Sequence, residues 1–236
     1  MKLIVAGGTG LLATEVIRQS LQLPEITSVL ALARKQVKVE GVDSSKLKSV
    51  IIEDYSNYPE HVKAEFAGAD ACIWTVAITP GRAMTYDFAE VKRICQDCTM
   101  AGLKAIYEAG PSKPFRFAYF SGEGTPRDMT KKPMFLGQYL LMRGETENMV
   151  LEYGAEHADI EICVAKPGII TSSITVGRAA VAAIYGFANL FTDSLANVSR
   201  KACAAAILQQ VVHGFEKETL SNADLVRIGR AAQDIP

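Results

Sequence analysis

Short apolar runs alternate along most of the chain with longer segments in which apolar residues recur every three to four positions. The short runs are rich in Val, Ile, Ala and aromatic residues, and they predict β-strands at residues 2–6, 27–33, 49–53, 71–77, 115–120 and 160–165. The periodic segments predict helices over residues 11–22, 59–67, 85–108 and 135–154. A repeated order of strand and helix is typical of a parallel sheet with helices on both faces. We therefore expect an α/β fold with a doubly wound parallel sheet.

The regular alternation stops after Gly168. Residues 169–198 are small and rich first in Thr and Ser and then in Ala, and we interpret them as a C-terminal cap that covers substrate. A further helix is predicted from about residue 200 to 213, whereas the polar segment 34–48 fits either a surface loop or a poorly formed helix. With 49% hydrophobic and 22% charged residues, the composition fits a single globular domain over residues 1–236.

The charge distribution narrows the classes of partner. A formal net charge of −1 without a Lys- or Arg-rich run predicts that neither nucleic acid nor a membrane surface is bound. The longest apolar run, residues 179–191, is shorter than the roughly 20 residues of a membrane-spanning helix. The chain enters its first strand at once and shows no signal cleavage site, so that we expect a cytoplasmic protein.

Five cysteines are an odd number and are scattered among predicted strands and helices, which favours reduced, buried thiols over a disulfide framework. Cys95 and Cys98 share a helical face with an apolar stripe, and no further Cys/His pair completes a zinc site. We interpret both thiols as packing residues and predict no metal site.

A glycine-rich turn joins the first predicted strand to the first predicted helix, and it reads Gly7-Gly8-Thr9-Gly10-Leu11-Leu12-Ala13. Gly7 and Gly8 permit a turn that is too tight for a Cβ atom, and Gly10 lets the backbone approach a phosphate. The N–H groups and the positive dipole end at the start of the helix attract an anion. This predicts a dinucleotide pyrophosphate site over Gly7, Gly8, Thr9, Gly10, Leu11 and Leu12. An ordinary glycine turn is the alternative interpretation.

The second predicted strand is followed by Arg34 and Lys35, where a site for NAD would place a carboxylate on the ribose 2′-hydroxyl. A guanidinium can pair with a 2′-phosphate and stack on adenine. The sequence therefore favours NADP over NAD, with a solvated Arg-Lys pair as the alternative.

Candidate cofactor contacts also follow the third, fourth and sixth predicted strands. Asp54, beside Tyr55, can accept a hydrogen bond from the adenine amino group, and Ala77 leaves room along the expected cofactor path. After the sixth strand, proline stops the ladder and glycine bends the chain, which gives a surface for the nicotinamide ring. The residues of that surface are Lys166, Pro167, Gly168 and Ile169.

A hydroxyl, a phenol and a cation provide candidate catalytic chemistry. Ser121 follows the fifth predicted strand, and Tyr139 and Arg143 lie one turn apart on a predicted helix. That spacing places the phenol and the cation on one helical face, where the cation can lower the pKa of the phenol. Tyr139 could then exchange a proton with a carbonyl or alcohol oxygen that Ser121 also holds. A packing Tyr and a solvated Arg are the alternative.

Together these residues resemble the short-chain dehydrogenase/reductase superfamily, in particular its atypical NAD(P)-binding branch of NmrA-like regulators and epimerase-like proteins, over residues 1–170. The resemblance implies a Rossmann-type fold, an adenine contact at Asp54, catalytic roles for Ser121 and Tyr139, and a nicotinamide contact near Lys166-Pro167-Gly168. The superfamily has Lys where this chain has Arg143, and some of its relatives bind cofactor without turnover.

The sequence thus predicts an NADP-dependent oxidoreductase that acts on a small, mostly apolar carbonyl or alcohol. A cofactor-sensing regulatory or scaffold protein without turnover, and a non-redox isomerase or lyase, are the alternatives. The apolar stripes on helices 85–108 and 135–154 are wide enough for a partner as well as the sheet. In the superfamily these two helices often form a dimer interface, so a homodimer is expected.

Overall fold

A computed structural model describes residues 1–131, 133–171 and 197–233 of the chain. Within these residues, nine β-strands are β1 (Lys2–Ala6), β2 (Ser28–Ala33), β3 (Leu47–Ile51), β4 (Ala71–Trp74), β5 (Phe115–Phe120), β6 (Ile160–Ala165), β7 (Ile169–Thr171), β8 (Asn197–Ser199) and β9 (Thr219–Leu220). Eight α-helices are α1 (Leu11–Ser20), α2 (Glu60–Lys63), α3 (Pro80–Ala83), α4 (Phe88–Lys92), α5 (Cys98–Glu108), α6 (Gly137–Glu156), α7 (Arg200–His213) and α8 (Asn222–Gln233). No helix in this part of the chain is both long and apolar enough to cross a bilayer.

Seven strands form one sheet in the order β3-β2-β1-β4-β5-β6-β9, and every neighbouring pair is parallel. The first six have the order of a doubly wound nucleotide-binding sheet, in which the chain reverses its direction of winding after β3. The crevice at this reversal opens where the carboxyl ends of β1 and β4 lie side by side. The predicted Rossmann-type α/β fold is confirmed.

Alternate side chains of each strand supply two hydrophobic cores, because strand residues point to opposite faces of the sheet. One core lies between the sheet and helices α1, α7 and α8, and it includes Val5, Ile73 and Phe120. The other lies under α2, α5 and α6, and it includes Trp74 and Tyr119.

Some predicted elements are shorter or interrupted. β4 ends at Trp74 rather than at residue 77, and α1 ends at Ser20. The predicted helix 85–108 consists of α4, a π-helical turn at Arg93–Asp97, and α5. The segment 34–48 forms no helix, and β3 begins within it at Leu47. Cys95 and Cys98 are buried as predicted.

The carboxyl-terminal elements β9 and α8 were not predicted. β9 has two residues, and it pairs with Val164 and Ala165 of β6. A reciprocal cap begins α8: the Ser221 N–H donates to Asp224 Oδ2 at 3.0 Å, and the Asp224 N–H donates to Ser221 Oγ at 3.2 Å. A Ser followed three residues later by an acid is a helix-start signal that the sequence does contain.

At the two ends of the predicted cap 169–198, residues 169–171 pair in parallel with residues 197–199 as β7 and β8. Residues 172–196 of the cap lie outside the described residues. Its role over substrate therefore stays a prediction.

Candidate cofactor and active site

The glycine-rich turn between β1 and α1 is compact, and its glycines are required by geometry. Gly7 has a φ of +85°, and a Cβ atom on it would lie 2.6 Å from Thr75 Oγ1. A Cβ on Gly8 would lie 3.0 Å from the Val37 side chain. The Gly10 N–H donates to the Gly7 carbonyl at 2.7 Å, and α1 starts at the next residue. The turn thus holds its own shape before any ligand is bound.

The start of α1 is open to an anion. Gly10 is the N-cap and provides no side-chain cap, while Thr9, Gly10 and Leu11 are exposed. The first amides of a helix have no carbonyl partner within it, and they carry its positive dipole end. Leu12 is buried in the core, so that it contributes its backbone to this surface. The residues present fit the pyrophosphate of a dinucleotide.

Tyr55 supports the turn from below. Its hydroxyl donates to the Leu32 carbonyl oxygen at 3.0 Å. The Leu32 carbonyl oxygen also accepts from the N–H groups of Gly7 and Gly8, at 3.0 and 3.1 Å. Burial raises the pKa of Tyr55 to about 12. The structure therefore places this predicted cofactor residue in the support of the turn.

Arg34 and Lys35 lie beyond the carboxyl end of β2 and are both exposed. Nearby, Val37 is buried against Gly8, and its N–H donates to Ser49 Oγ at 2.9 Å. This anchor fixes the segment that carries both cations beside the glycine turn. Within the described residues, no ion pair engages the Arg34 guanidinium.

Asp54 is held by a cation that the sequence did not single out. Arg93 Nη1 lies 3.0 Å from both carboxylate oxygens of Asp54. The Ser56 N–H also donates to Asp54. The hydrogen bond from Ser56 and then the bonds from Arg93 hold the pKa of the Asp54 carboxyl below its ordinary value, although partial burial acts in the opposite direction. Arg93 begins the π-helical turn, and such turns are frequent at functional sites.

Tyr139 is 8% exposed and contacts the segment that follows β4. Its hydroxyl donates to the Ile78 carbonyl at 3.0 Å, and the Ile78 N–H donates to Cys95 Sγ at 3.3 Å. Ala77, the preceding residue, is exposed. The phenol and the predicted cofactor path are therefore neighbours.

Arg143 lies on the same buried face of α6 as Tyr139 and is 3% exposed. Its Nη2 donates to the Phe120 carbonyl oxygen, and its guanidinium carbon lies 5.1 Å from the centre of the Tyr119 ring. Burial lowers the pKa of Arg143, but the Tyr119 and Tyr139 phenols outweigh this and raise it above its ordinary value. Nη1 has no hydrogen-bond partner among the described residues. Both side chains are thus buried on one face of α6, and an effect of the cation on the phenol stays a prediction.

Ser121 follows β5, and its hydroxyl donates to Glu147 Oε1 at 2.5 Å. Glu147 is fully buried on α6. Its other oxygen, Oε2, accepts from Arg127 Nε at 2.9 Å and from Lys166 Nζ at 3.0 Å. The Ser121 hydroxyl therefore belongs to an ionic cluster around a buried carboxylate. We call it the Glu147 cluster (Ser121, Arg127, Glu147 and Lys166).

The segment after β6 is hydrogen-bonded to β9, to the loop after β5 and to the start of α8. The Lys166 N–H donates to the Leu220 carbonyl at 2.8 Å, so the ladder continues into β9. The Pro167 carbonyl accepts from the Glu123 N–H at 2.9 Å, and the Gly168 N–H donates to Asn222 Oδ1 at 2.9 Å. The Lys166 side chain contacts Glu147, whereas Ile169 begins β7.

Sequence reasoning missed three charged residues of this edge, namely Arg93, Arg127 and Glu147. Glu147 lies two turns beyond Tyr139, at a spacing that keeps it on the same side of α6, and this was an available signal. Nothing in the local pattern distinguished Arg93 or Arg127 from solvated surface cations.

Comparison with protein-family models found no match. The chain is 34% identical over 122 residues to Leucinostatins biosynthesis cluster protein T of Purpureocillium lilacinum, a match of 51% of this chain and 43% of that protein. It is 26% identical over 160 residues to Protein FMP52, mitochondrial, of Candida albicans, covering 68% of this chain and 65% of that protein. The matches thus span less than two thirds of either relative.

Solved structures share the fold at low identity. Vestitone reductase from alfalfa superposes with a TM-score of 0.65 and 20% identity, covering 93% of this chain and 74% of that chain. MoeE5 in complex with UDP-glucuronic acid and NAD superposes with a TM-score of 0.66 and 13% identity, covering 94% and 76%. These likenesses establish the Rossmann-type fold of this chain. The proteins that share the fold include dehydrogenases, reductases and epimerases.

Proposed function

We propose that the protein is an NADP-dependent oxidoreductase of the short-chain dehydrogenase/reductase type, in its atypical branch, and that it acts on a small, mostly apolar carbonyl or alcohol. One observation supports this most strongly. The self-bonded glycine turn opens α1 at the carboxyl edge of β1, where Tyr139 and Ser121 also lie on neighbouring segments. A fold of this kind binds its ligand at this edge.

Different residues of the chain would bind different parts of the cofactor. The first amides of α1, at Leu11 and Leu12, would hold the pyrophosphate, Arg34 and Lys35 the 2′-phosphate, and Asp54 the adenine. The cofactor, when bound, supplies or accepts hydride at its nicotinamide. Arg143, buried beside Cys95 and the two phenols, would keep a positive charge next to the reacting groups.

Tyr139 would hold and move the proton of the reacting oxygen. Its hydroxyl is now bonded to the Ile78 carbonyl, and it exchanges that partner for the substrate oxygen when substrate enters. Arg143 carries a permanent charge close to the phenol, which favours its ionised form. Tyr139 would therefore be the proton donor and acceptor of the site. Arg143 would tune its phenol, and Ser121 would orient the substrate.

A second candidate function is cofactor sensing without turnover. Arg143 donates to the Phe120 carbonyl from a buried position, as a residue with a structural role would. An arginine is also a poor substitute for a compact ammonium at a ribose contact. A non-redox isomerase or lyase would use Tyr139 as acid and base in the same pocket.

Calorimetry with NADPH, NADP+, NADH and NAD+, followed by NADPH oxidation against a panel of carbonyl compounds, tests the proposal. We expect NADPH binding and turnover in the unaltered protein. Tyr139→Phe should lower kcat at least a thousandfold and leave the NADPH dissociation constant within threefold. Tyr107→Phe is the matched control, since it removes a phenol that donates to Asp159 at the far edge of the sheet.

Each outcome separates the candidate functions. Binding of NADPH without turnover of any panel member would favour the sensor. No heat from any of the four nucleotides would refute every function that depends on the cofactor. Full activity in Tyr139→Phe would contradict the role of the phenol.

The NADP preference depends on Arg34. We expect Arg34→Asp to reverse the ratio of NADPH to NADH affinity by at least a hundredfold, because a carboxylate repels the 2′-phosphate and accepts a ribose hydroxyl. Lys104→Asp, an equal change of charge at an exposed position on α5, should leave the ratio unchanged. An unaltered ratio in Arg34→Asp would contradict the assignment.

A small molecule is the proposed substrate, and neither nucleic acid nor a membrane is a proposed partner. A cytoplasmic location stays a proposal, and the relative from Candida albicans carries the word mitochondrial in its name. Fluorescence microscopy of the tagged protein would decide between the two compartments.

A further inference from the structure

The Glu147 cluster buries one carboxylate between two cations and a hydroxyl. The Glu147 side chain has no exposed surface, and its Oε2 accepts from both Arg127 and Lys166. A buried carboxylate requires such partners, because an unpaired charge in the interior is strongly unfavourable. The cluster therefore has a fixed polarity: its cations face Oε2, and the Ser121 hydroxyl faces Oε1.

Several segments hold this arrangement in place. Gly144 on α6 lets the Pro126 backbone approach so closely that a Cβ atom would lie 1.8 Å from the Pro126 carbonyl oxygen. Asn148 donates to the Arg127 carbonyl at 3.0 Å. Arg127 continues to Glu218 and Thr219 at 2.9 and 2.6 Å, which joins the cluster to β9.

The polarity decides what Ser121 can offer to a ligand. A serine hydroxyl has one hydrogen and two acceptor lone pairs, and a carboxylate can only accept. The hydrogen is committed to Glu147 at 2.5 Å, a length typical of a strong charge-assisted bond. Only acceptor lone pairs remain on the hydroxyl of Ser121, a half-buried residue. Ser121 cannot donate to a carbonyl oxygen while this bond is kept.

We propose that Glu147 is a positioning residue that makes Ser121 a hydrogen-bond acceptor, and that Ser121 therefore recognises an O–H or N–H group next to the reacting carbon of the substrate. The substrate class becomes a carbonyl with a neighbouring donor, such as a 2-hydroxyketone. Tyr139 alone would then donate to the reacting oxygen. This inference rests on the proposed oxidoreductase function, and it assigns Ser121 a different partner from the expectation that Ser121 and Tyr139 hold the same oxygen.

Pairs of ketones that differ only in a neighbouring hydroxyl or methoxy group test the inference, for example 2-hydroxyacetophenone and 2-methoxyacetophenone. The methoxy compound keeps an acceptor but lacks the donor. We expect kcat/KM of the unaltered protein to favour the hydroxyl member at least tenfold, mostly through KM. Ser121→Ala should reduce this preference below threefold.

Glu147→Gln gives a readout that loss of structure would not imitate. The amide oxygen should take the place of Oε2 against the two cations, which leaves the NH2 group facing Ser121. Ser121 then accepts from the amide and can donate its own hydrogen to the ligand. We expect the preference to turn toward the methoxy member. Glu161→Gln, which removes an exposed carboxylate paired with Arg116, should change nothing.

NADPH binding and thermal unfolding, measured for every variant, show whether each protein is folded. Should Glu147→Gln fail to fold, the result for Ser121→Ala still decides, because an unchanged preference there overturns the inference. Equal kcat/KM for both members in the unaltered protein also overturns it and leaves the oxidoreductase proposal intact. If the unaltered protein turns over other carbonyl compounds but no pair, this inference fails and the oxidoreductase proposal stands. If it turns over no carbonyl compound at all, both fail.

Discussion

Gly7 carries the strongest steric constraint of the glycine turn. Its φ of +85° disfavours any residue with a Cβ, and Thr75 Oγ1, only 2.6 Å from the Cβ position, is itself bonded to the Ala6 carbonyl at 2.7 Å. We expect Gly7→Ala to lower NADPH affinity at least tenfold and to destabilise the fold by about 1–3 kcal/mol. Calorimetry and urea unfolding would measure both effects.

Gly110 provides the control for backbone strain alone. It has a similar φ of +75°, and nothing lies within 4 Å of its Cβ position, which is at the other edge of the sheet. Gly110→Ala should destabilise the protein and leave NADPH affinity unchanged. If Gly7→Ala bound NADPH as tightly as the unaltered protein does, the turn would not be the pyrophosphate site.

At the residue scale, the sequence predicts which residues share a helical face. It does not predict their hydrogen-bond partners as well. The four-residue spacing correctly placed Tyr139 and Arg143 on one buried face of α6. It could not predict that Ile78 and Phe120 would supply their carbonyl partners, because those carbonyls come from distant segments. The cations that pair with Glu147 could not be predicted for the same reason, since they lie 20 residues before and 19 residues after it.

Between elements, the contact of α6 with the segment after β5 sets the Glu147 cluster. Gly144 is its closest point, and an alanine there would overlap the Pro126 backbone. We expect Gly144→Ala to destabilise the protein by about 1–3 kcal/mol, as overpacking does, and to lower turnover by displacing Arg127. Urea unfolding and NADPH oxidation would measure the two effects.

Gly137, at the first turn of the same helix, is the matched control. Nothing lies within 4 Å of its Cβ position, so that Gly137→Ala should be neutral or stabilising by up to about 1 kcal/mol through helix propensity. Equal stabilities of the two variants would show that the segment yields to the new methyl group.

The predicted elements succeed where a long periodic pattern and a buried face coincide. Leu12, Val16 and Ile17 of α1, with Leu21 directly after it, recur every three to four positions, and all four are buried. β9 is too short for a pattern, and its partner on the sheet is set by the tertiary fold. The π-helical turn shifts the register inside a helix that the sequence predicted as uninterrupted.

For the whole molecule, the order of the strands determines the site before any side chain is considered. The glycine turn follows β1, Ala77 and Ile78 follow β4, and Ser121 follows β5, and these three strands are neighbours in the sheet. The alternation of strands and helices predicted the parallel sheet, and the sheet brought these strand ends together.

The outer face of α4 and α6 is where we expect a second copy of the chain to bind. A groove of about 330 Å³ lies there, and its lining includes Phe88, Met129 and Leu141 beside Lys92 and Glu145. Phe88 and Met129 are 38% and 40% exposed, which leaves apolar surface for a partner to cover. We predict that the unaltered protein sediments as a dimer.

Phe88→Glu should raise the dissociation constant of this dimer at least a hundredfold, because a partner would have to bury an unpaired carboxylate in an apolar contact. Ile51→Glu is the control, since Ile51 is 53% exposed but lies on the edge strand β3, away from both helices. Sedimentation velocity across a range of concentrations would measure both variants. A monomer at all concentrations of the unaltered protein, or equal weakening by Ile51→Glu, would exclude this face as the interface.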